Sequence, residues 1–471
     1  MTTEKAQRIK TERFWWVLLI ALPTVAIAVA SLPQELRRFP SSFSSSHSPA
    51  GLDPDYRYRF DQLLGNNLTP KLMAEQEIAF YQERLGQDPE SGLNRAFLAE
   101  AYLKMAQATS EGSWYLLAEG AARRSLASLP FDNTTAQLVL ARIAEAQHDF
   151  PTALRLAEQV GFTNRDALAV AVTTNLAMGN VAAADRAAQE LVALVRSPGT
   201  LNLRGLVRVA QGLDAEAIAD FEGALAAEEP GQLSGSAKTR TLLGRFYSQR
   251  GQLQQAEALY LEALRLVPRY PLALVLLAEL KTRQGQYRQG QEYYELALTD
   301  SENTVTLFDH RIAHGMARLK SLQGDKAAAK SWLEKAETLL RATMPKDGSG
   351  SFGHRGELAA LLLDRGGEED VAEALALMQA EVKIRRDAPT MTILASALLR
   401  SGKPAEAQEA IALAMQSGIR DAGIFYRAGE VEKALGNETT ARAYFQQASQ
   451  TDPTFDAQAR RMLGLDMEFS Y

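Results

Sequence analysis

The chain contains no cysteine. This excludes a disulfide framework, a thiol nucleophile, a thiolate zinc site and an acylated amino-terminal lipoprotein cysteine. Aromatic residues are sparse at 7% against an apolar content of 46% rich in alanine and leucine, a balance that suits packed helices and argues against a sheet protein. Basic excess is missing too. The formal net charge of -6 leaves no broad electrostatic footprint for phosphate backbones, so nucleic acid is not expected as a partner.

Long apolar runs are absent with one exception. No charged residue lies between Phe14 and Gln34, and the stretch FWWVLLIALPTVAIAVASL is long enough, as a helix, to cross most of a hydrocarbon core of about 30 Å. Lys5, Arg8, Lys10 and Arg13 precede it, and Trp15 and Trp16 stand where an interfacial aromatic belt belongs. The positive-inside rule then keeps residues 1–13 in the cytoplasm and puts everything after 34 outside it, in a single-pass inner-membrane arrangement, although Arg37 and Arg38 pull the other way. A cytoplasmic array is the competing topology. Ala28-Val29-Ala30 reads as a cleavage site, but an apolar region of about 19 residues exceeds the 7–15 usual for an export signal, which favours a retained anchor. Residues 35–67 follow as a linker whose serine- and proline-rich part, 39–55, reads as a flexible tether.

The rest of the chain is periodic. Gly244, Tyr247, Gly251, Ala256, Tyr260, Ala263 and Pro268 recur, at the same offsets, as Gly429, Gly436, Ala441, Phe445, Ala448 and Pro453, with only the tyrosine unmatched. Small residues let two helices approach closely, large ones fill the gaps around them, and proline stops the second helix. A self-similar period of about 34 residues resembles the tetratricopeptide repeat, a helix–turn–helix unit that stacks into a solenoid. The resemblance implies an all-α, right-handed solenoid of about ten units over residues 92–455, several of them degenerate. Residues 68–91 are expected as a capping helix and 456–471 as a terminal cap or tail, because the outer face of an end repeat must tolerate water. The cluster Thr109-Ser110-Glu111-Gly112-Ser113 predicts a longer turn inside the first unit. HDFPTAL at 148–154, GRFYSQRGQLQQAEALYLEALRLVP at 244–268 and the run at 421–456 are similar to a widespread group of bacterial tetratricopeptide proteins. That similarity implies assembly or scaffolding by class alone.

No catalytic constellation emerges. Gly348, Gly350 and Gly353 spell GxGxxG, but no strand precedes them to aim backbone N–H groups at a pyrophosphate, so the segment reads as an inter-repeat loop. His310 and His314 share a helix face, yet HRIAH lacks the glutamate of the HExxH metalloprotease pattern and offers no third ligand. Neither a metal nor a cofactor is expected. In proteins of this family the groove of first helices holds a segment of another protein, which on this sequence marks Arg142, Asn202, Thr241, Arg245, Ser248, Glu279, His314, Arg318 and Glu430. The arginines suit carboxylates, although solvated or locally paired arginines are the plainer reading. The chaperone-type carboxylate clamp is missing, since Thr241, Val275 and Leu276 occupy several of its places. The sequence therefore reads as a membrane-tethered, non-enzymatic scaffold with a protein partner, fit for assembly of an envelope, polysaccharide or pilus complex. On that reading Arg245→Glu with Arg318→Glu should weaken partner capture without unfolding the array. The contrasting reading is a solenoid-framed ligand- or metal-binding protein, with its site at 348–356 beside His310, His314 and His354.

Overall fold

A computed structural model describes residues 57–60, 69–298, 306–344, 352–462 and 464–465. All of them belong to one compact unit, Tyr56–Tyr471. The expected cytoplasmic tail, the apolar segment 14–34, the tether 39–55 and the glycine-rich stretch 345–351 lie outside the described residues. Among the described residues no helix is long and apolar enough to cross a membrane.

Helices make up most of the described residues, and among these there is no strand, only an isolated bridge between Glu111 and Thr306. Helix α1 (Pro70–Gln87) stands alone. Ten helix pairs follow. The first five are α2 (Gly92–Thr109) with α3 (Gly112–Ser128), α4 (Thr134–Ala146) with α5 (Phe150–Val160), α6 (Arg165–Ala177) with α7 (Val181–Leu194), α8 (Pro198–Ala210) with α9 (Asp214–Ala226), and α10 (Leu233–Gln249) with α11 (Leu253–Leu266). The second five are α12 (Pro271–Arg283) with α13 (Tyr287–Leu298), α14 (Asp309–Leu322) with α15 (Lys326–Ala342), α16 (Arg355–Arg365) with α17 (Glu368–Glu381), α18 (Ala388–Arg400) with α19 (Pro404–Met415), and α20 (Ala422–Ala434) with α21 (Glu438–Thr451). The short α22 (Ala457–Met462) ends the array.

Local chemistry explains the breaks. Side chains of Thr69, Ser91, Asn133, Asn164, Asp387 and Asp421 accept from free N–H groups at helix starts. Between the helices of a pair the chain reverses through a left-handed residue. Gly212 (φ 70) and Gly251 (φ 72) are examples, where the Leu213 and Gln252 N–H groups reach back to the Arg208 and Tyr247 carbonyls at 2.9 Å each. In α4/α5 the same place is taken by His148, at φ 59. The longer turn expected at 109–113 is absent. Ser110, at φ 61, turns the chain within two residues, and the additional residues extend α2 and α3 instead.

In three of the pairs a glycine faces a large ring: Gly205 meets Phe221, Gly244 meets Tyr260 and Gly429 meets Phe445. A Cβ on Gly244 would stand 2.7 Å from the Tyr260 ring, and one on Gly429 would stand 2.5 Å from Phe445. Both glycines are buried, so the ring lies directly on backbone, which is the close approach the repeat pattern calls for.

Pairs distant in sequence also meet. The Arg386 N–H donates to the Ala177 carbonyl at 2.9 Å, and Leu307 donates to Ser110 at 2.8 Å. Asp214 pairs with Arg250 on one side and with Arg420 on the other, each at 2.7 Å. Arg283 pairs with Asp452 at 2.5 Å, and the Gln458 amide donates to the Thr282 and Arg283 carbonyls at 3.1 and 3.0 Å. The second half of the array thus lies against the turns of the first. Tyr58, in the segment read as linker, is also buried here: its N–H donates to Glu262 at 3.0 Å and its hydroxyl to the Glu229 carbonyl at 3.3 Å.

Candidate partner-binding cavity

Because the two halves touch, the inner faces of α8, α10, α12, α14, α16, α18 and α20 surround a cavity of about 740 Å³. That is the scale of a small-molecule or peptide site, far less than a folded domain would fill. Seven arginines and six carboxylates line it, between apolar walls such as Leu206, Phe246, Leu276 and Ile393.

Most of these charges satisfy one another. Arg311 grips Glu279 with two hydrogen bonds, at 2.9 and 3.0 Å. Asp364, buried at 2% exposure, accepts from Arg318 at 2.9 and 2.7 Å and meets His314 Nε2 at 2.7 Å. Burial pushes the Asp364 carboxyl up, but the Arg318 guanidinium and the His314 contact overcome it and hold the group below the ordinary carboxylate range. His314 moves down in turn, chiefly through burial and then through Arg318, so its Nε2 is assigned as the donor of a neutral ring. Arg318 also donates to the Met462 carbonyl at 3.1 Å, tying α14 to the end of α22.

Histidines gather beside this network. The His310 and His354 rings stand 4.3 Å apart, and His354 Nδ1 meets the Thr343 hydroxyl at 2.9 Å. Burial, helped by the charges of His354, His314 and Arg311, pushes His310 down to about 3. His148 comes from the first half of the chain to within 3.4 Å of Glu381. Among the described residues, no three histidine or acidic side chains are placed to hold one metal ion.

Arg245 differs from its neighbours. It lines the cavity and is exposed to solvent, and among the described residues no hydrogen bond or ion pair engages it. Burial moves its pKa down, Arg311 repels it, and Tyr260, Glu279 and Asp421 offset this only in part.

The nine residues marked from sequence divide accordingly. Arg245, Ser248, Glu279, His314 and Arg318 line the cavity. Asn202 and Thr241 do not: Asn202 is buried and donates to Thr239 at 2.7 Å, while the Thr241 hydroxyl is spent on the Ala237 carbonyl at 2.8 Å. Arg142 pairs with Glu145 at 2.9 Å on α4, and Glu430 pairs with Arg427 on α20. Replacing Arg318 by glutamate would set a second carboxylate against buried Asp364, so that change bears on folding as well as on the cavity. Sequence reasoning passed over Lys238, which stands on α10 seven residues before Arg245 and faces Arg142 and Glu145. The helical face rule that found Arg245 applies equally to it.

The tetratricopeptide repeat family model matches residues 237–270, so the α10/α11 pair is a repeat of that kind. A search of curated proteins returns no match. Among solved structures, the chain is similar to the APC/C hetero-tetramer Cut9–Hcn1, at 12% identity over 86% of this chain and 96% of that one, with a TM-score of 0.35. It is also similar to a human IFIT1 dimer with PPP-AAAA, at 15% identity over 84% and 93%, with a TM-score of 0.44. MamA matches at 18% identity over 36% of this chain and 95% of that one, with a TM-score of 0.29. Scores this low carry no inference about what the chain binds.

Proposed function

We propose that this tetratricopeptide-repeat protein is a membrane-tethered, non-enzymatic scaffold that holds a segment of a partner protein in its inner cavity. Supporting the reading is one observation above others: the first helices of seven successive pairs turn their faces into one open, charged cavity. A surface of stacked first helices offers a partner many weak contacts in a fixed register, which suits recognition of a segment better than chemistry on it. The charge-free stretch Phe14–Gln34 supports the anchor, and the basic residues before it support an array lying outside the cytoplasm, where assembly of an envelope, polysaccharide or pilus complex takes place.

Affinity capture with the full-length protein in its own membrane tests the scaffold. Arg245→Glu alone is the clean probe, because Arg245 supports no other side chain. A discrete set of partners that the variant loses would uphold the reading, and identical recovery by both proteins would remove the cavity from it. The topology has its own readout. Since the chain has no cysteine, Arg442→Cys on α21 can be labelled without background; labelling of intact cells by a membrane-impermeant maleimide places the array outside, and labelling only after lysis reverses it.

A further inference from the structure

We infer that one copy of this chain docks on the next, head to tail, through two edges that the array's own seam leaves open. The inference goes beyond the partner-binding reading and does not rest on it.

In a ribbon of stacked antiparallel helix pairs, the turns inside the pairs lie along one edge and the loops between pairs along the other. The seam joins these edges in strict order: the turn of each of the first five pairs meets the loop that follows the pair five places on. The Ser110 carbonyl takes the Leu307 N–H and the Ala177 carbonyl takes the Arg386 N–H. His148 stands against Gly353, Gly212 against Gly418 and Gly251 against Asp452. Phe352 shows how an aromatic side chain of such a loop is seated, against Gly112 and 5.7 Å from the Tyr115 ring.

That order runs out at both ends. Helix α22 covers the turn of the sixth pair, where Gln458 lies beside Gly285, and Tyr58 covers the loop after the fourth pair. The turns of the last four pairs stay open: Gly324, Gly366, Gly402 and Gly436 are exposed, and a Cβ on Gly324, Gly402 or Gly436 would meet nothing within 4 Å among the described residues. The loops after α1 and after the first three pairs, at 88–91, 129–133, 161–164 and 195–197, stay open too. Phe131 and Phe162 stand exposed in them, and Leu194 stands exposed beside the last. Four open turns thus match four open loops, and a second copy is the occupant that presents the missing edge in the same order.

Charge bears on the register. Inside the molecule Asp214, two residues past Gly212, pairs at 2.7 Å with Arg420, the residue before the cap of α20. Seating the open edges in order sets Glu438, two residues past Gly436, against Arg196, the residue before the cap of α8. Both are exposed, and among the described residues no hydrogen bond or ion pair engages either. At the matching positions Lys326 faces Glu90, Pro404 faces Thr163 and Glu368 faces Asp132, so two places attract, one is neutral and one repels. The joint is therefore weak between free copies, while copies held by the anchor proposed above meet at a raised effective concentration. Being heterologous, the contact does not close on two copies but extends into a stack.

Cross-linking tests the joint. Since the chain has no cysteine, Thr163→Cys and Lys403→Cys each introduce a single thiol at one open edge, and the register brings the two places together. Full-length copies of both variants, made in one membrane, are treated with a short bis-maleimide. A product joining 163 to 403 should form well above the background given by Lys403→Cys with Arg155→Cys, whose thiol is exposed midway along α5. Arg196→Glu on the first chain, or Glu438→Arg on the second, should lower the yield about five-fold, and the two together should restore it. A yield no higher than background, or a product joining 163 to 163 in its place, would overturn the inference. A yield that charge reversal leaves unchanged would mean that the anchors alone bring the chains together, and would equally overturn it. The two readings fail separately: chains that capture a partner without cross-linking sink the stack and spare the scaffold, whereas chains that cross-link and capture nothing sink the scaffold.

Discussion

His310 carries the strongest pH dependence at the residue scale. Its imidazole stays neutral far below the pH at which a free histidine protonates, and His314 and His354 shift in the same direction. The unfolded chain takes up those protons first, so stability is whole above about pH 6.5 and declines as pH falls toward 3. Thermal or urea unfolding of the parent should therefore weaken between pH 7 and pH 5. His310→Gln should flatten that slope, and a parent whose stability did not change over this interval would show that the histidines are not held neutral. Sequence pattern placed some of these residues well and others not at all. The pairing of Gly244 with Tyr260 and of Gly429 with Phe445 was legible because both partners lie in one repeat and recur at one offset. The pairing of Arg318 with Asp364 was not, because it joins two different repeats and nothing in either marks the other.

At the scale of elements, the glycine turns serve two ends. Each reverses the chain between the helices of a pair, and that role is visible in the sequence. Gly179, Gly212 and Gly251 also let the second half of the array approach. A Cβ on them would stand 2.6, 2.1 and 2.5 Å from Arg386 O, Gly418 O and Asp452 Oδ1. That second role has no periodic signature, since the contacts join turns to loops some two hundred residues away. The contact of α12 with α21 is the most charged of them. Asp452 is buried and Arg283 half-buried, and Asp452 also accepts from the Thr454 N–H at 2.9 Å. Asp452→Ala leaves the Arg283 guanidinium with only the neutral Ser248 and Thr454 oxygens as acceptors, which should cost about 1–3 kcal/mol. A chemical denaturation midpoint that did not move would mean that water already serves Arg283.

An open array of repeats, in which each unit touches only its neighbours, unfolds from its ends and tolerates loss of a terminal element locally. Closure changes that expectation for the whole molecule. Helix α22 packs on α12 and α14, far from it in the chain: Gln458 takes up the last carbonyls of α12, and Met462 receives Arg318 of α14. Asp364, which holds His314 and Arg318 at the cavity wall, depends on the same arrangement. Truncation after Asp456 should therefore raise hydrogen exchange in 271–283 and 309–322, while leaving 134–160 unchanged. It should also loosen partner capture without touching Arg245. Exchange confined to the last pair, 422–451, would mean that the array behaves as an open stack and that the cavity is held by neighbouring repeats alone. A rise at both distant helices would mean instead that the cavity and the stability of the array are one property, so that whatever occupies the cavity also stiffens the seam.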